Sequence, residues 1–481
     1  MRIIIVGGGK AGARLTKTLS DEGHDITVVD PNPDRLNEIC DENDILGVIG
    51  NGLNYATLQK AELTTADLLI AMTGSDEKNL LCCLFARKKC NCSTIARVRN
   101  PMYISEIPFI KEQVNLSMII NPEYAAAREV ARILRFPSAI EINPFSKGKV
   151  EMLTFKIPAG SVLDGKDLVY VRSKIETGVL FCSIERGDEF FIPSGDFVLR
   201  GGDKASVILK PREAVKFFKR INLATQEVKS VIIAGGGMMT YYLARQLLDN
   251  KVNVKIIELN EKRCLELVEL LPGAMIIQGD ASNRKLLLEE GIDTADAFIA
   301  LTGFDEENII LSLYAKELSD IKVVTKIDRI IFDDLIAKLN LDTVIYPHDI
   351  TVENILQYVR AKQNALGNNI ETLYRFTNNK LEALEFKVFE GAPNLGIPLK
   401  DIKLKSNLII GAINRREQIL LPDGEAHILP GDRVIVVTTQ KKLNDFKDIL
   451  AEIMIFRCIA PLFPFFYLFI RLPVNSPAKF C

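Results

Sequence analysis

Two glycine-rich turns hold the residues of this chain best suited to chemistry, and that chemistry is the binding of a phosphate. The first reads Gly7-Gly8-Gly9-Lys10-Ala11-Gly12 after the apolar run RIIIV, and the second reads Gly235-Gly236-Gly237-Met238-Met239-Thr240 after SVIIA. A strand that ends in Gly-x-Gly-x-x-Gly and opens into a helix sets backbone N–H groups and a helix N-terminus in front of a pyrophosphate. In each half an acidic residue ends the next β-rich run, Asp30 in one and Glu258 in the other. Either can accept hydrogen bonds from ribose hydroxyls. The charge of Asp30 would repel a 2′-phosphate, so NAD or an adenosine nucleotide is expected there over NADP. Thr240 replaces the third glycine, which serves close packing of helix on strand, so the second helix is expected to sit slightly further out. The competing reading of either turn is a nucleotide-free domain that keeps its glycines for packing.

The next candidates lie in AMTGSDEKN and ALTGFDEEN, followed by ARVRN and TKIDR. Strand C-terminal ends are where open α/β sheets bind ligands, so Thr73, Gly74, Thr302 and Gly303 are expected at the borders of two sites. Arg97 and Lys326 each place a cation at the end of the following strand, where phosphate charge could be met. Ser75 or Asp76 is also expected to cap a helix whose first turn is acidic.

Catalytic groups are hard to find. A dehydrogenase on such a scaffold needs a proton donor beside the nicotinamide. The chain has three histidines. His24 precedes the second strand, His427 falls in a turn-rich module, and His348 precedes a helix opposite Glu123 of the other half. No phosphate-binding GxxxxGK[ST] loop, nucleophile elbow or metal spacing appears, and the nine cysteines are scattered, with Cys90-Asn91-Cys92 a CxC rather than a CxxC. No catalytic and no metal-binding residue is therefore assigned.

The elements that position these residues occur twice. Gly7 aligns with Gly235, Gly9 with Gly237 and Asp30 with Glu258, each 228 positions on. After one inserted residue Thr73, Asp76, Asn79 and Arg97 align with Thr302, Asp305, Asn308 and Lys326. In each half, six short apolar runs alternate with helical stretches, which predicts a parallel sheet covered on both faces. Polar–apolar alternation with Gly, Pro and Asp turns then predicts a small α+β module. The expected layout is a Rossmann-like doubly wound domain over 1–137, a small α+β domain over 138–222, a second Rossmann-like domain over 229–365 and a second small domain over 370–452. Helices near Asn121–Leu134 and Asp349–Arg360 are the expected crossovers between lobes, and a closing helix is expected in each small module.

At 481 residues the chain is long enough for several such domains, and 60 basic against 62 acidic residues give no sign of a nucleic-acid partner. The first apolar run is broken by its glycine loop, so no cleavable signal is expected. Residues 453–481 form an atypical apolar tail. Its uncharged stretch from Cys458 to Ile470 contains Pro461 and Pro464 and is too short to span a membrane, which takes about 20 residues.

The order VGGGKAG, VVD, GNG, AMTGSDEKN, ARVRNPMY and INPE, followed by a small module and repeated whole, resembles the TrkA family of Trk-system potassium uptake proteins. The family carries tandem RCK (KTN) N-lobes, each followed by a C-lobe, and the resemblance covers about residues 1–452. It implies a cytoplasmic regulatory subunit, peripheral to the inner membrane, that forms a ring, likened to a tetramer of tandem chains, beneath a membrane potassium-translocating subunit. The implied ligands are NAD(H) or ATP/ADP. By that similarity Gly7, Gly9, Ala11, Asp30, Thr73 and Arg97 would form one site, and Gly235, Gly237, Met239, Glu258, Thr302 and Lys326 the other. The family often has an acidic residue after the glycine that ends strand three, as in Gly279-Asp280; the first half has Asn51 there. Readings that compete with a nucleotide-gated ring are an NAD-dependent oxidoreductase and an assembly scaffold with vestigial sites.

Overall fold

The computed structural model describes residues 1–451 apart from 105, 137, 176–177, 188, 224–227, 320, 329–335, 337, 340, 365–369, 377–380, 441–442 and 444, so the apolar tail lies outside the described residues. The first large lobe is a parallel sheet of β1 (Arg2–Val6), β2 (Asp25–Asp30), β3 (Leu46–Ile49), β4 (Leu68–Ala71), β5 (Ser93–Arg97) and β6 (Met118–Ile120). Their order is β3-β2-β1-β4-β5-β6, with the reversal between β1 and β4. Helices α1 (Lys10–Asp21), α2 (Pro33–Glu42), α3 (Tyr55–Lys60), α4 (Asp76–Lys89), α5 (Pro101–Ile104) and α6 (Ile107–Val114) connect them. Strand β1 after Arg2 and the all-apolar β4 are buried because helices cover both faces, as their sequences require.

After α7 (Pro122–Leu134), the first small lobe pairs β7 (Ala139–Phe145), β8 (Val150–Lys156), β9 (Val179–Arg186), β10 (Glu189–Phe191) and β11 (Lys204–Leu209) antiparallel, in the order β10-β9-β11-β8-β7. Helices α8 (Leu168–Ile175) and α9 (Pro211–Arg220) accompany it. Phe217 and Phe218 of α9 are buried and pack edge-on to Phe155, so the closing helix expected here is present.

The second large lobe repeats the first with β12 (Ser230–Ala234), β13 (Asn253–Glu258), β14 (Met275–Gln278), β15 (Ala297–Ala300), β16 (Lys322–Lys326) and β17 (Thr343–Ile345), ordered β14-β13-β12-β15-β16-β17. Its helices are α10 (Met238–Asp249), α11 (Glu261–Leu270), α12 (Arg284–Glu289) and α13 (Asp305–Leu318), and α14 (Pro347–Asn364) follows. The second small lobe is the antiparallel sheet of β18 (Ile370–Phe376), β19 (Leu381–Lys387), β22 (Arg433–Thr438), β20 (Leu408–Arg415) and β21 (Gln418–Leu420), in that order. Its closing segment differs from expectation. Among the described residues it is a 3-10 turn, Phe446–Ile449, held by a reciprocal capping box between Asp445 and Asp448.

The halves are interlocked. Helix α7 of the first half packs on α10 of the second, and α14 of the second packs on α1 of the first. Val352, Ile355, Leu356 and Val359 of α14 complete the core around Ile3, Leu15 and Leu19. Arg14 pairs with Asp349 at 2.9 Å, Arg360 with Glu22, and the Lys362 ammonium donates to the Asp67 carbonyl at 2.8 Å and to Ser93 Oγ at 2.6 Å. The two small lobes meet through Phe145, Met152, Cys182 and Ile208 against Ala383, Ala412, Ile435 and Val437. Ser146 hydrogen-bonds Glu385 across that seam. The crossover role expected of both helices is what the packing shows. Among the described residues, no helix is long and apolar enough to cross a membrane.

Candidate nucleotide-binding sites

Both glycine turns sit at the point where the strand order reverses, the crevice in which open α/β sheets hold ligands. In the first, Gly7 has φ +109°, and a Cβ on it would lie 2.9 Å from the Met72 carbonyl oxygen, so only glycine fits between β1 and β4. Gly9 is the N-cap of α1 and has no side chain to satisfy the helix's first N–H groups; the space a Cβ would enter is open. These donors and the helix dipole are what an anion would meet. A Cβ at Gly12 would lie 2.0 Å from the Gly7 carbonyl oxygen, which fixes how closely α1 approaches its loop.

The second turn repeats this with Gly235 at φ +98° and Gly237 as an uncapped N-cap over open space. Thr240 is fully buried, and its hydroxyl donates to the Gly235 carbonyl at 2.6 Å. A side chain is accommodated here at the position where Gly12 leaves no room for one. The threonine replaces close contact by a hydrogen bond and keeps the loop's shape.

Asp30 is buried and closes its own loop. Its Oδ2 accepts from the Gly8 N–H at 2.7 Å, its Oδ1 from the Asn32 N–H at 2.9 Å, and the Arg35 guanidinium lies 3.4 Å away. Glu258 does the same with Gly236 N–H at 2.6 Å and Asn260 N–H at 2.8 Å. A ribose at either carboxylate would therefore share it with backbone donors. Asn51 and Asp280 occupy matching turns beyond the third strand, where each side chain accepts from a backbone N–H two residues on, at 3.0 Å from Leu53 and 2.8 Å from Ser282. The hydrogen bonds from Ser282 hold the Asp280 carboxyl below its ordinary range.

Thr73 and Thr302 border the crevices as expected. Each is fixed by an asparagine that the sequence reading aligned but did not place in a site. Asn79 Oδ1 accepts from the Thr73 N–H and hydroxyl, both at 2.8 Å, while its amide donates to the carbonyls of Thr73 at 3.2 Å and Arg97 at 2.9 Å. Asn308 accepts from the Thr302 N–H at 2.8 Å and donates to the carbonyls of Thr302 at 3.3 Å and Lys326 at 3.0 Å. Both asparagines are fully buried, so they tie the ends of two strands to one helix. The signal was the repeated spacing in TGxDExN, with a short amide at the one position that faces inward. Ser75 caps α4 by accepting from the Lys78 N–H at 3.3 Å; Phe304, its counterpart, has no such side chain. Gly74 and Gly303 leave open space above the crevice.

The cations differ from expectation. Arg97 lies 4.0 Å from Glu123, and burial, together with the neighbouring Arg99, pulls its guanidinium below the ordinary value. Lys326 donates to the Thr302 carbonyl at 3.0 Å and pairs with Asp328 at 3.0 Å. Both face partners within the chain, so a phosphate would have to compete for them. The side chains of Ala11 and Met239 are buried, and that of Lys10 is exposed.

Arg99 links the first site to the second half. Its side chain donates to the Gly74 carbonyl at 2.9 Å, and its own carbonyl accepts from the Tyr242 hydroxyl of α10 at 2.5 Å. On the other crossover, His348 in the first turn of α14 lies 3.9 Å from Asp328, and burial lowers its pKa. Among the described residues no group of three His, Cys, Asp or Glu side chains is placed to hold a metal ion.

A TrkA-N domain model matches residues 3–122 and 231–347, and a TrkA-C domain model matches 152–222 and 383–451. The chain belongs to the TrkA family. The Trk system potassium uptake protein TrkA homolog 1 of Methanosarcina mazei is 33% identical over 445 residues, covering 91% of this chain and 97% of that protein. TrkA of Halomonas elongata is 32% identical over 447 residues, covering 92% and 96%. Among solved structures, the GsuK channel aligns with a TM-score of 0.61 at 20% identity, over 91% of this chain and 77% of that one. The GsuK channel bound to NAD aligns at 0.60 and 19%, with the same coverage. At those identities the likeness establishes the fold: TrkA-type tandem Rossmann-like lobes, each with a small antiparallel lobe.

Proposed function

We propose that this chain is the regulatory subunit of a Trk-type potassium uptake system and that its two glycine loops hold adenine nucleotides, NAD(H) or ATP/ADP. The observation that carries this is the repeated uncapped loop at the sheet's reversal point, Gly9 over α1 and Gly237 over α10, in a chain of the TrkA family. A pyrophosphate would take the unsatisfied N–H groups of each helix start, and a ribose would share Asp30 or Glu258. Membership of the TrkA family favours a sensor over an enzyme. The relatives are Trk-system potassium uptake proteins, which supplies potassium uptake as the output, and a GsuK channel bound to NAD supplies a ligand precedent on the same fold.

Ligand binding changes the output only if it favours one arrangement of the interlocked halves over another. Arg99 and Tyr242 give the first site a direct contact with the helix that begins at the second. The halves assemble into a ring on the cytoplasmic face of the membrane, beneath a potassium-translocating subunit. Rubidium flux into vesicles holding that subunit tests the reading. With this chain added, flux responds to NADH, NAD, ATP or ADP, and the response disappears when Gly9 and Gly237 are both replaced by Asp. Flux that is the same with and without nucleotide contradicts it.

A further inference from the structure

The duplicated halves allow the two sites to be compared residue by residue, and their rims differ in charge. In the second half a pocket of about 390 Å³ opens beside the loop, lined by Gly236, Glu258, Lys262, Arg263 and Glu266 among others. The positions 228 earlier in the chain are Gly8, Asp30, Asp34, Arg35 and Glu38. Three carboxylates therefore stand against one guanidinium at the first rim, and two carboxylates against two cations at the second. The whole difference in sign comes from Lys262 in place of Asp34, since Glu261 lies outside the pocket lining.

Two observations point this difference at a ligand. Helix α11 opens with Glu261 and Lys262 where α2 opens with Pro33 and Asp34, so the first-turn acid moves one position earlier and a cation takes its place in the pocket lining. Arg263 is also held differently from Arg35. Its Nε donates to the Gly236 carbonyl at 2.7 Å and its Nη1 to Glu266 at 2.8 Å, which fixes the guanidinium over the pocket floor. Arg35 instead leans on Asp30 at 3.4 Å and is 47% exposed against 22% for Arg263. Asp30 and Glu258 each have both oxygens engaged by backbone N–H groups, so the acids at the strand ends are alike and the difference lies in the residues beside them.

On the reading that these loops hold adenine nucleotides, we propose that the second site accepts an adenosine bearing a 2′-phosphate, the NADP(H) class, and that Lys262 is the residue that admits it. The position matches the chemistry. The acid at the end of the second strand of such a sheet faces the ribose 2′-hydroxyl, and a basic residue beside it accommodates the phosphate at that oxygen. The phosphate carries a charge of about −1.5 to −2 at neutral pH, so the rim at Asp34 excludes it and the rim at Lys262 does not. The first site selects the unphosphorylated ribose, and one chain reads two cofactor pools.

The test is calorimetry with NADH and NADPH on two single-site forms of the full chain. Gly9→Asp leaves the second loop as the available site and Gly237→Asp leaves the first. The expected ratio of NADPH to NADH affinity is about 10-fold higher at the second loop than at the first. Lys262→Asp in the Gly9→Asp background lowers NADPH affinity by about 10-fold and changes NADH affinity by less than about 2-fold. Asp34→Lys in the Gly237→Asp background raises NADPH affinity, and this gain shrinks as salt is added. Equal ratios at the two loops, or a Lys262→Asp variant that changes both ligands alike, overturn the proposal and leave nucleotide binding standing. If the Gly9→Asp chain binds neither dinucleotide, the second loop is not a nucleotide site and both readings of it fall.

Discussion

Replacing Gly9 by Asp separates the two jobs of the first glycine turn, holding the fold and holding an anion. Gly9 is the N-cap of α1 with φ −65° and ψ 179°, an extended conformation open to any residue, and a Cβ there meets nothing within 4 Å. Aspartate is among the best N-caps, better than glycine by a few tenths of a kcal/mol, and its charge at the helix start adds about 0.3–1 kcal/mol. The ligand-free chain should therefore melt at the wild-type temperature or slightly above it. Binding should suffer in proportion to what the carboxylate takes. It occupies N–H groups that a pyrophosphate needs, and at about 4 Å each pair of like charges costs from ~1 kcal/mol in water to ~4 kcal/mol near a protein surface. A loss of about 3 kcal/mol is a loss of more than 100-fold in affinity. The assay is thermal unfolding with and without NADH. A ligand at 100 times its dissociation constant stabilises the native state by about 2.7 kcal/mol, and the share owed to the first site should vanish in Gly9→Asp. A variant that melts several degrees early without ligand, or that keeps the full ligand-induced shift, refutes the division of roles.

The third position of each turn gives an opposed pair: Gly12→Ala forces a Cβ to 2.0 Å from the Gly7 carbonyl oxygen and should destabilise the first large lobe by about 1–3 kcal/mol in denaturant melts, through overpacking. Thr240→Gly, which restores the first loop's residue, should also destabilise, by about 1–2 kcal/mol, because it removes the buried hydrogen bond to Gly235 and adds backbone freedom within a helix. Tyr242→Phe removes the hydroxyl shared by the Arg99 carbonyl and the Asn121 amide, 2.5 and 3.1 Å away, while these two stay bonded to each other at 3.2 Å; it should cost about 0.5–1.5 kcal/mol and speed hydrogen exchange in α7 and α10 together. Burial pushes Glu129 up to about 7 from an ordinary 4.5, against the opposing pull of Arg132 and Arg128 and with Glu141 and Glu151 adding to the rise. The folded state holds this proton more tightly than the unfolded chain. Its contribution to stability is therefore complete below about pH 4.5 and is lost as the pH rises through about 7. Glu129→Gln should flatten the stability profile across that window, read as melting temperature against pH.

The parts of the fold that backbone geometry dictates were readable in the sequence. Gly7 and Gly235 must be glycine at their positive φ, and the acid at the end of the second strand has to lie beside the turn; both features are visible as residue type and spacing. The duplication told which residues correspond, and the buried Asn79 and Asn308 were recoverable from it in principle, since an amide is repeated where the helix faces its strands. What could not be read was which surface each amphipathic helix covers. The apolar faces of α7 and α14 announce burial, but nothing in their sequence says that each covers the other half's first helix. The fate of charges was equally hidden. Arg97 and Lys326 stand at strand ends as expected, yet Glu123 and Asp328 arrive beside them only when the sheet is assembled. The closing segments show the limit of analogy between the halves, since PREAVKFFKR buries two phenylalanines as a helix, while its counterpart contributes Phe446 and Ile449 from a single 3-10 turn.

The most direct test of the central claim is equilibrium binding of NADH, NAD, ATP and ADP to the purified full chain, measured by calorimetry beside the Gly9→Asp/Gly237→Asp double variant. Two nucleotide sites in one chain predict saturable binding of at least one of these ligands by the wild type, with a stoichiometry above one where both loops fill, and none by the double variant. No saturable binding of any of the four to the wild type, or undiminished binding by a folded double variant, would contradict it.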